Sequence, residues 1–139
     1  MNRMLRVDTR GQGLHEITAD VRRLVDDGLA AGAPADGLVT LFVRHTSASL
    51  IVQENADPSA RRDLEAFLAR LVPEGDPLYT HTAEGPDDMP AHVRAVLTAT
   101  QLSVPLLKGE LALGTWQGIW LWEHRRRGSR REVVVHLGA

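Results

Sequence analysis

The segment Tyr79-Thr80-His81-Thr82-Ala83-Glu84-Gly85-Pro86-Asp87-Asp88-Met89-Pro90-Ala91-His92 gathers two imidazoles, three carboxylates and a phenol with almost no aliphatic residues between them. A stretch with so little to bury must hold its shape by hydrogen bonds, by Pro and Gly geometry, or by a ligand. Its end reads as a helix start, with Asp88 as the cap and Pro90 placed early, where a missing N–H costs nothing. Asp88 and His92 then stand one turn apart on a shared face, and His81 arrives from the preceding loop. Two imidazoles and several carboxylates at a helix N-terminus suit a divalent metal, an anion or acid–base chemistry. The spacing alone equally fits a polar surface loop before a capped helix.

Three further groups carry chemistry. His45 closes an apolar run and is followed by Thr46, Ser47 and Ser49, whose hydroxyl and N–H groups could form an anion nest; a strand-end histidine bonded to backbone has the same signature. Glu54 ends the next apolar run, whereas Asp57 before Pro58 reads as a helix cap and nothing more. Trp116 and Gln117 are bracketed by Gly114 and Gly118, which suggests a tight turn or a close backbone approach to a ligand. The arginines from Arg125 to Arg131 read as a solvated hairpin tip or as forks for phosphate.

Composition narrows the choices. There is no Cys, so disulfides and thiolate metal sites are excluded, and a metal must be held by His and carboxylate. The net charge of −2 argues against a nucleic-acid-binding domain. No apolar run approaches the roughly 20 residues of a membrane span, and no leader pattern opens the chain. A cytoplasmic, non-membrane protein of one domain, residues 1–139, is expected.

The elements that must position these groups follow from periodicity. Met1 to Asp8 alternates as a strand, and Ile17, Val21, Leu24, Val25 and Leu29 predict a helix over about 18–31. Gly37 to Arg44 predicts a strand buried on both faces, and Leu50 to Gln53 a second, shorter one. Leu64, Phe67, Leu68 and Leu71 predict an amphipathic helix ending at Val72-Pro73. Residues 73–88 form a long loop, a length usually reserved for function, before a short helix over about 89–98 that packs Val93, Val96 and Leu97. The last third reads as strands, with a turn at Lys108-Gly109 and a hairpin joining Trp116–His124 to Arg131–Leu137 through the arginine tip. Trp116, Trp120 and Trp122 read as core or subunit-interface residues. Intermixed helices and strands ending in a meander indicate an α+β fold.

Taken in series, His45-Thr46-Ser47-Ala48-Ser49, Glu54-Asn55-Ala56-Asp57, Tyr79-Thr80-His81, Glu84 through His92, Leu113-Gly114-Thr115-Trp116-Gln117 and Glu123 resemble the YjbQ-like family, also labelled secondary thiamine-phosphate synthase. The resemblance spans nearly the whole chain. It implies a β-sandwich-like α+β fold of mixed sheets with two to three helices, a homotrimer, and a polar pocket built from those segments. It also implies a secondary transferase activity that joins a thiazole phosphate to a pyrimidine diphosphate with loss of pyrophosphate. On that footing His45, His81 and His92 become candidate metal ligands, with zinc the first expectation and magnesium the second. Asp87, Asp88, Glu84 and Glu54 become candidates for the acid–base work, and Thr46, Ser47, Ser49, Trp116, Gln117 and Arg125 for binding a phosphorylated small molecule. A non-catalytic metal- or ligand-binding trimer is the alternative. His15, His124 and His136 lie outside the motifs and read as structural or surface residues.

Overall fold

Alternation of apolar and polar residues decides which layer each strand joins. In the computed structural model, which describes residues 1–139, β1 (Asn2–Asp8), β3 (Gly37–Val43), β5 (Gln101–Leu107), β6 (Glu110–Leu111) and β8 (Arg130–Gly138) form one antiparallel sheet in the order β1-β8-β3-β5-β6. β2 (Gly13–Glu16), β4 (Ala48–Glu54) and β7 (Gln117–Glu123) form a second, in the order β2-β7-β4. Val39, Leu41, Val43, Val133 and Val135 of the first sheet meet Leu50, Ile119 and Leu121 of the second in one apolar core. Helix α1 (Thr18–Ala30) adds Val21 and Val25 to that core. Each such side chain, fully buried, contributes roughly 1.5–3 kcal/mol.

A second, smaller core lies on the outer face of the three-stranded sheet. Trp120 and Trp122 of β7 pack there with Leu14, with Leu68 of α2 (Pro58–Leu71) and with Val72, while Val93 of α3 (Asp88–Leu97) adds a further contact. β7 is therefore covered on both faces, which explains its unbroken apolar run. Asp57 caps α2 as expected, its Oδ1 accepting the Ser59 N–H at 2.9 Å. The β5–β6 turn places Lys108 at φ 52° and Gly109 at φ 83°, the two positive values that a two-residue hairpin turn requires.

The structure corrects several of the expectations. Trp116, Val96 and Leu97, read as packed, are exposed. β3 is buried on one face only: Val39, Leu41 and Val43 point inward, but Leu38 and Phe42 are exposed. The strand over residues 50–53 is longer, running from Ala48 to Glu54. β7 and β8 do not form a hairpin; β8 pairs with β1 and β3, and the arginine segment crosses from one sheet to the other. A strand covered on both faces takes the centre of a sheet between a core and a helical layer, leaving no place beside it for the half-exposed β8. Finally, Asp88 is not the cap of α3. It lies in the first turn, after Asp87, whose side chain makes no capping bond; the Asp88 carboxylate is engaged elsewhere.

Candidate functional site

The crossover after β7 and the start of α3 meet at one end of the sandwich. Asp88 is almost completely buried, and its two oxygens face different partners. Oδ1 accepts from Arg125 Nη1 at 2.8 Å. Oδ2 lies 2.8 Å from His81 Nε2 and 3.4 Å from His92 Nε2. The two imidazoles stand 5.4 Å apart between ring centroids, and the donor atoms of His81, Asp88 and His92 all lie within 4.8 Å of one another.

Backbone and neighbouring charges fix this geometry. His92 Nδ1 lies 3.0 Å from the Thr46 carbonyl oxygen, which can only accept, so the proton belongs on Nδ1. A neutral His92 then turns a bare Nε2 lone pair toward a carboxylate oxygen. That arrangement calls for a positive charge between them, either a second ring proton or a metal ion. Arg125 holds the carboxylates in place: Nε donates to Asp87 Oδ2 at 3.0 Å and Nη2 to the Glu84 carbonyl oxygen at 3.0 Å. Burial pushes the Asp87 carboxyl up, but the Arg126 backbone N–H and the Arg125 guanidinium outweigh it and hold it below the usual carboxylate range. The hydrogen bond to Asp87 in turn raises Arg125.

Beneath the site, Glu123 anchors the crossover. It is fully buried and accepts from Arg131 Nε and Nη2 at 2.8 and 2.7 Å, from Thr9 Oγ1 at 2.8 Å, and from the backbone N–H groups of His124 and Arg125. A buried ion pair with this many bonds is fully satisfied. His124, expected to be structural or surface, is completely buried, with Nε2 2.8 Å from Ser49 Oγ. Its Nδ1 has no partner, and neither do Nε and Nη1 of the buried Arg94, which donates through Nη2 to the Val72 carbonyl. Sequence reading missed Arg94 as a buried charge, because its partner, the Val72 carbonyl, lies 22 residues away in the chain.

The remaining candidates separate into two groups. His45, Thr46, Ser47, Glu84, Asp88, His92 and Arg125 all line one polar cavity of about 440 Å³ that has no hydrophobic residue in its wall. His45 stands outside the donor cluster. Its Nδ1 accepts the Ser47 N–H at 2.9 Å, so the neutral ring carries its proton on Nε2 and presents a donor. Burial first, and the Arg131 charge second, lower His45 below its usual range. Ser49 is buried against His124 and does not reach the cavity. Glu54, Trp116 and Gln117 lie at the opposite end of the second sheet, where Glu54 pairs with Gln117. Gln117 Oε1 folds back to accept the Gly114 N–H at 2.7 Å, and the close approach at Gly118 is made by the Glu16 and Asn55 side chains.

Donor chemistry and spacing both fit a divalent ion. Zn–N bonds run about 2.0–2.1 Å, and His81, Asp88 and His92 would be the residues to hold such an ion through two nitrogens and one carboxylate oxygen. Two imidazoles with a carboxylate match zinc better than magnesium, which favours oxygen ligands. No helix is long and apolar enough to cross a membrane.

Comparison with known proteins agrees with this architecture. Residues 3–139 match the family described as UPF0047 protein YjbQ-like. A UPF0047 protein of Synechocystis sp. is 50% identical over 134 residues, covering 96% of this chain and 88% of that one. The UPF0047 protein YjbQ of Salmonella typhimurium is 40% identical over 136 residues, covering 97% and 95%. Among solved structures, a conserved hypothetical protein from Thermus thermophilus superposes with a TM-score of 0.82 at 39% identity, covering 97% of this chain and 98% of that one. A hypothetical protein from Aeropyrum pernix gives a TM-score of 0.86 at 26% identity, covering 100% and 99%.

Proposed function

The chain belongs to the UPF0047 YjbQ-like family, and from that premise we propose that it is a metal-dependent transferase acting on a phosphorylated small molecule, with His81, Asp88 and His92 holding the ion. The observation that carries the reading is the Asp88 carboxylate oxygen set between two imidazole Nε2 atoms, one of them on a ring whose other nitrogen is committed to the Thr46 carbonyl. A cation at that point completes the charge balance. The wholly polar cavity beside it supports an anionic, hydrophilic substrate.

The reaction proposed is the weak, secondary activity that the family resemblance implies, joining a thiazole phosphate to a pyrimidine diphosphate with loss of pyrophosphate. A bound divalent ion supplies charge stabilisation for a departing pyrophosphate. The protein's own groups do the rest. Arg125 holds Asp87 and Asp88 in register, the Thr46 carbonyl places the ring proton of a neutral His92 on Nδ1, and His45 offers its Nε2–H to a substrate oxygen. Glu84 lines the same cavity and is the carboxylate free to move a proton. The experiment is turnover by protein purified without an affinity tag, measured before and after chelation and after zinc is restored. Activity that disappears with the chelator and returns with zinc supports the reading; activity indifferent to the chelator contradicts it.

We further propose a homotrimer. Leu38, Phe42 and Leu107 stand exposed on the outer face of the five-stranded sheet, and Phe42 also borders a groove with Val96, His45 and His92. Second copies of this chain are the occupants that would cover such a face next to the site.

A further inference from the structure

The crossover after β7 and the first residues of β8 carry Arg125, Arg126, Arg127, Arg130 and Arg131, and four of these guanidinium groups are already matched. Arg125 is bound to Asp87 and Asp88, Arg126 to Glu74, Arg130 to Asp8 and Arg131 to Glu123. Arg127 alone makes no ion pair and no side-chain hydrogen bond, and it lines the polar cavity that holds Asp88 and His92. The segment is anchored on both sides of it: Asp87 Oδ2 accepts the Arg126 N–H at 3.0 Å, and the Ser129 N–H donates to Thr9 Oγ1 at 2.9 Å. Arg127 thus lines the cavity on a backbone anchored at both sides, and its guanidinium is the unmatched one among neighbours that spend their own charges on the fold.

We propose that Arg127, together with His45 Nε2–H, is the pair that reads the phosphate of the substrate and distinguishes phosphorylated molecules from their dephosphorylated forms. The inference rests on the reading of this cavity as the substrate site and assigns the recognition within it. Chemistry favours Arg127 over Arg125. Each N–H face of Arg125 is committed to Asp87, Asp88 or the Glu84 carbonyl, so turning it toward a ligand would release two carboxylates. Arg127 has its full fork of five donors available, and that fork matches two phosphate oxygens. His45 lines the same cavity and adds a donor at Nε2, because its Nδ1 accepts the Ser47 N–H. The arginine recruits negative charge, and the imidazole fixes its orientation.

The test is calorimetric titration of inorganic phosphate into zinc-loaded, tag-free protein, with zinc affinity measured on the same preparations. Arg127→Ala should weaken phosphate binding roughly 10-fold or more, the scale of a lost charge-assisted bond, while zinc affinity stays within about twofold. Arg127→Lys should recover part of the loss, since a point charge replaces a fork. Arg126→Ala, whose partner is Glu74 outside the cavity, should leave phosphate binding unchanged. Phosphate affinity unaltered in Arg127→Ala, or weakened equally in Arg126→Ala, would overturn the assignment and leave the metal site standing. A parent protein that binds phosphate but no zinc would overturn the metal reading and leave the role of Arg127 standing.

Discussion

Asp88 and His92 stand one helical turn apart, with Asp88 Oδ2 3.4 Å from His92 Nε2. The same oxygen is 2.8 Å from His81 Nε2, so one carboxylate joins the loop ring to the helix ring. Asp88→Asn keeps an oxygen for Arg125 Nη1 but removes the charge that attracts a cation. Zinc affinity by calorimetry should fall 10-fold or more, while the melting temperature drops only modestly, because Asp87 still holds Arg125. Asp88→Ala should lose both binding and stability. Parent-like zinc affinity in Asp88→Asn would show that this carboxylate serves the fold alone.

Glu123 and Arg131 make a prediction about stability. Their pair is buried with five bonds to Glu123, and removing one member leaves an uncompensated charge. Glu123→Ala should cost about 3–5 kcal/mol in urea unfolding. A loss under about 1 kcal/mol would mean that solvent reaches this position.

The buried His124 predicts a pH dependence. Burial, followed by the charges of Arg94 and Arg131, lowers its pKa to about 3, whereas an unfolded chain titrates near the ordinary value of about 6.5. Below that value the unfolded state takes up a proton that the native state refuses. Its contribution is therefore fully present above about pH 6.5 and is lost as pH falls toward 3, by at most about 1.4 kcal/mol per pH unit. His124→Gln should flatten that part of the stability profile measured by urea unfolding between pH 7 and 4. An unchanged slope would contradict a neutral, buried ring.

The apolar outer face predicts assembly. Light scattering should give about three times 15.3 kDa, and Phe42→Asp, which charges an exposed position of β3, should reduce the mass toward a single chain. A mass near 15.3 kDa for the parent at micromolar concentration would sink the trimer proposal.

How much of this could be read from the chain depended on the range of the interaction. Local signals carried well: the Asp57-Pro58 start of α2, the Lys108-Gly109 turn, and the one-turn spacing of Asp88 and His92 all rest on residues within four positions of each other. Pairing across the chain carried less. The apparent hairpin of Trp116–His124 with Arg131–Leu137 is two strands in different sheets, because the choice depends on β1 and β3 competing for β8. Burial of His124 and Arg94 is likewise set by distant neighbours, Ser49 and Val72, which no spacing announces. The family motifs named Glu54, Trp116 and Gln117 beside the histidines, yet within one chain they occupy the far end of the second sheet.

Metal content decides the central claim most directly. Protein purified without an affinity tag and equilibrated with zinc should retain about one ion per chain after exhaustive dialysis, and an anomalous peak at the zinc edge should lie between His81, Asp88 and His92. The double substitution His81→Ala/His92→Ala should abolish both while the far-ultraviolet circular dichroism stays that of the parent. Retention of zinc by the double variant, or its absence from the parent, would contradict the account.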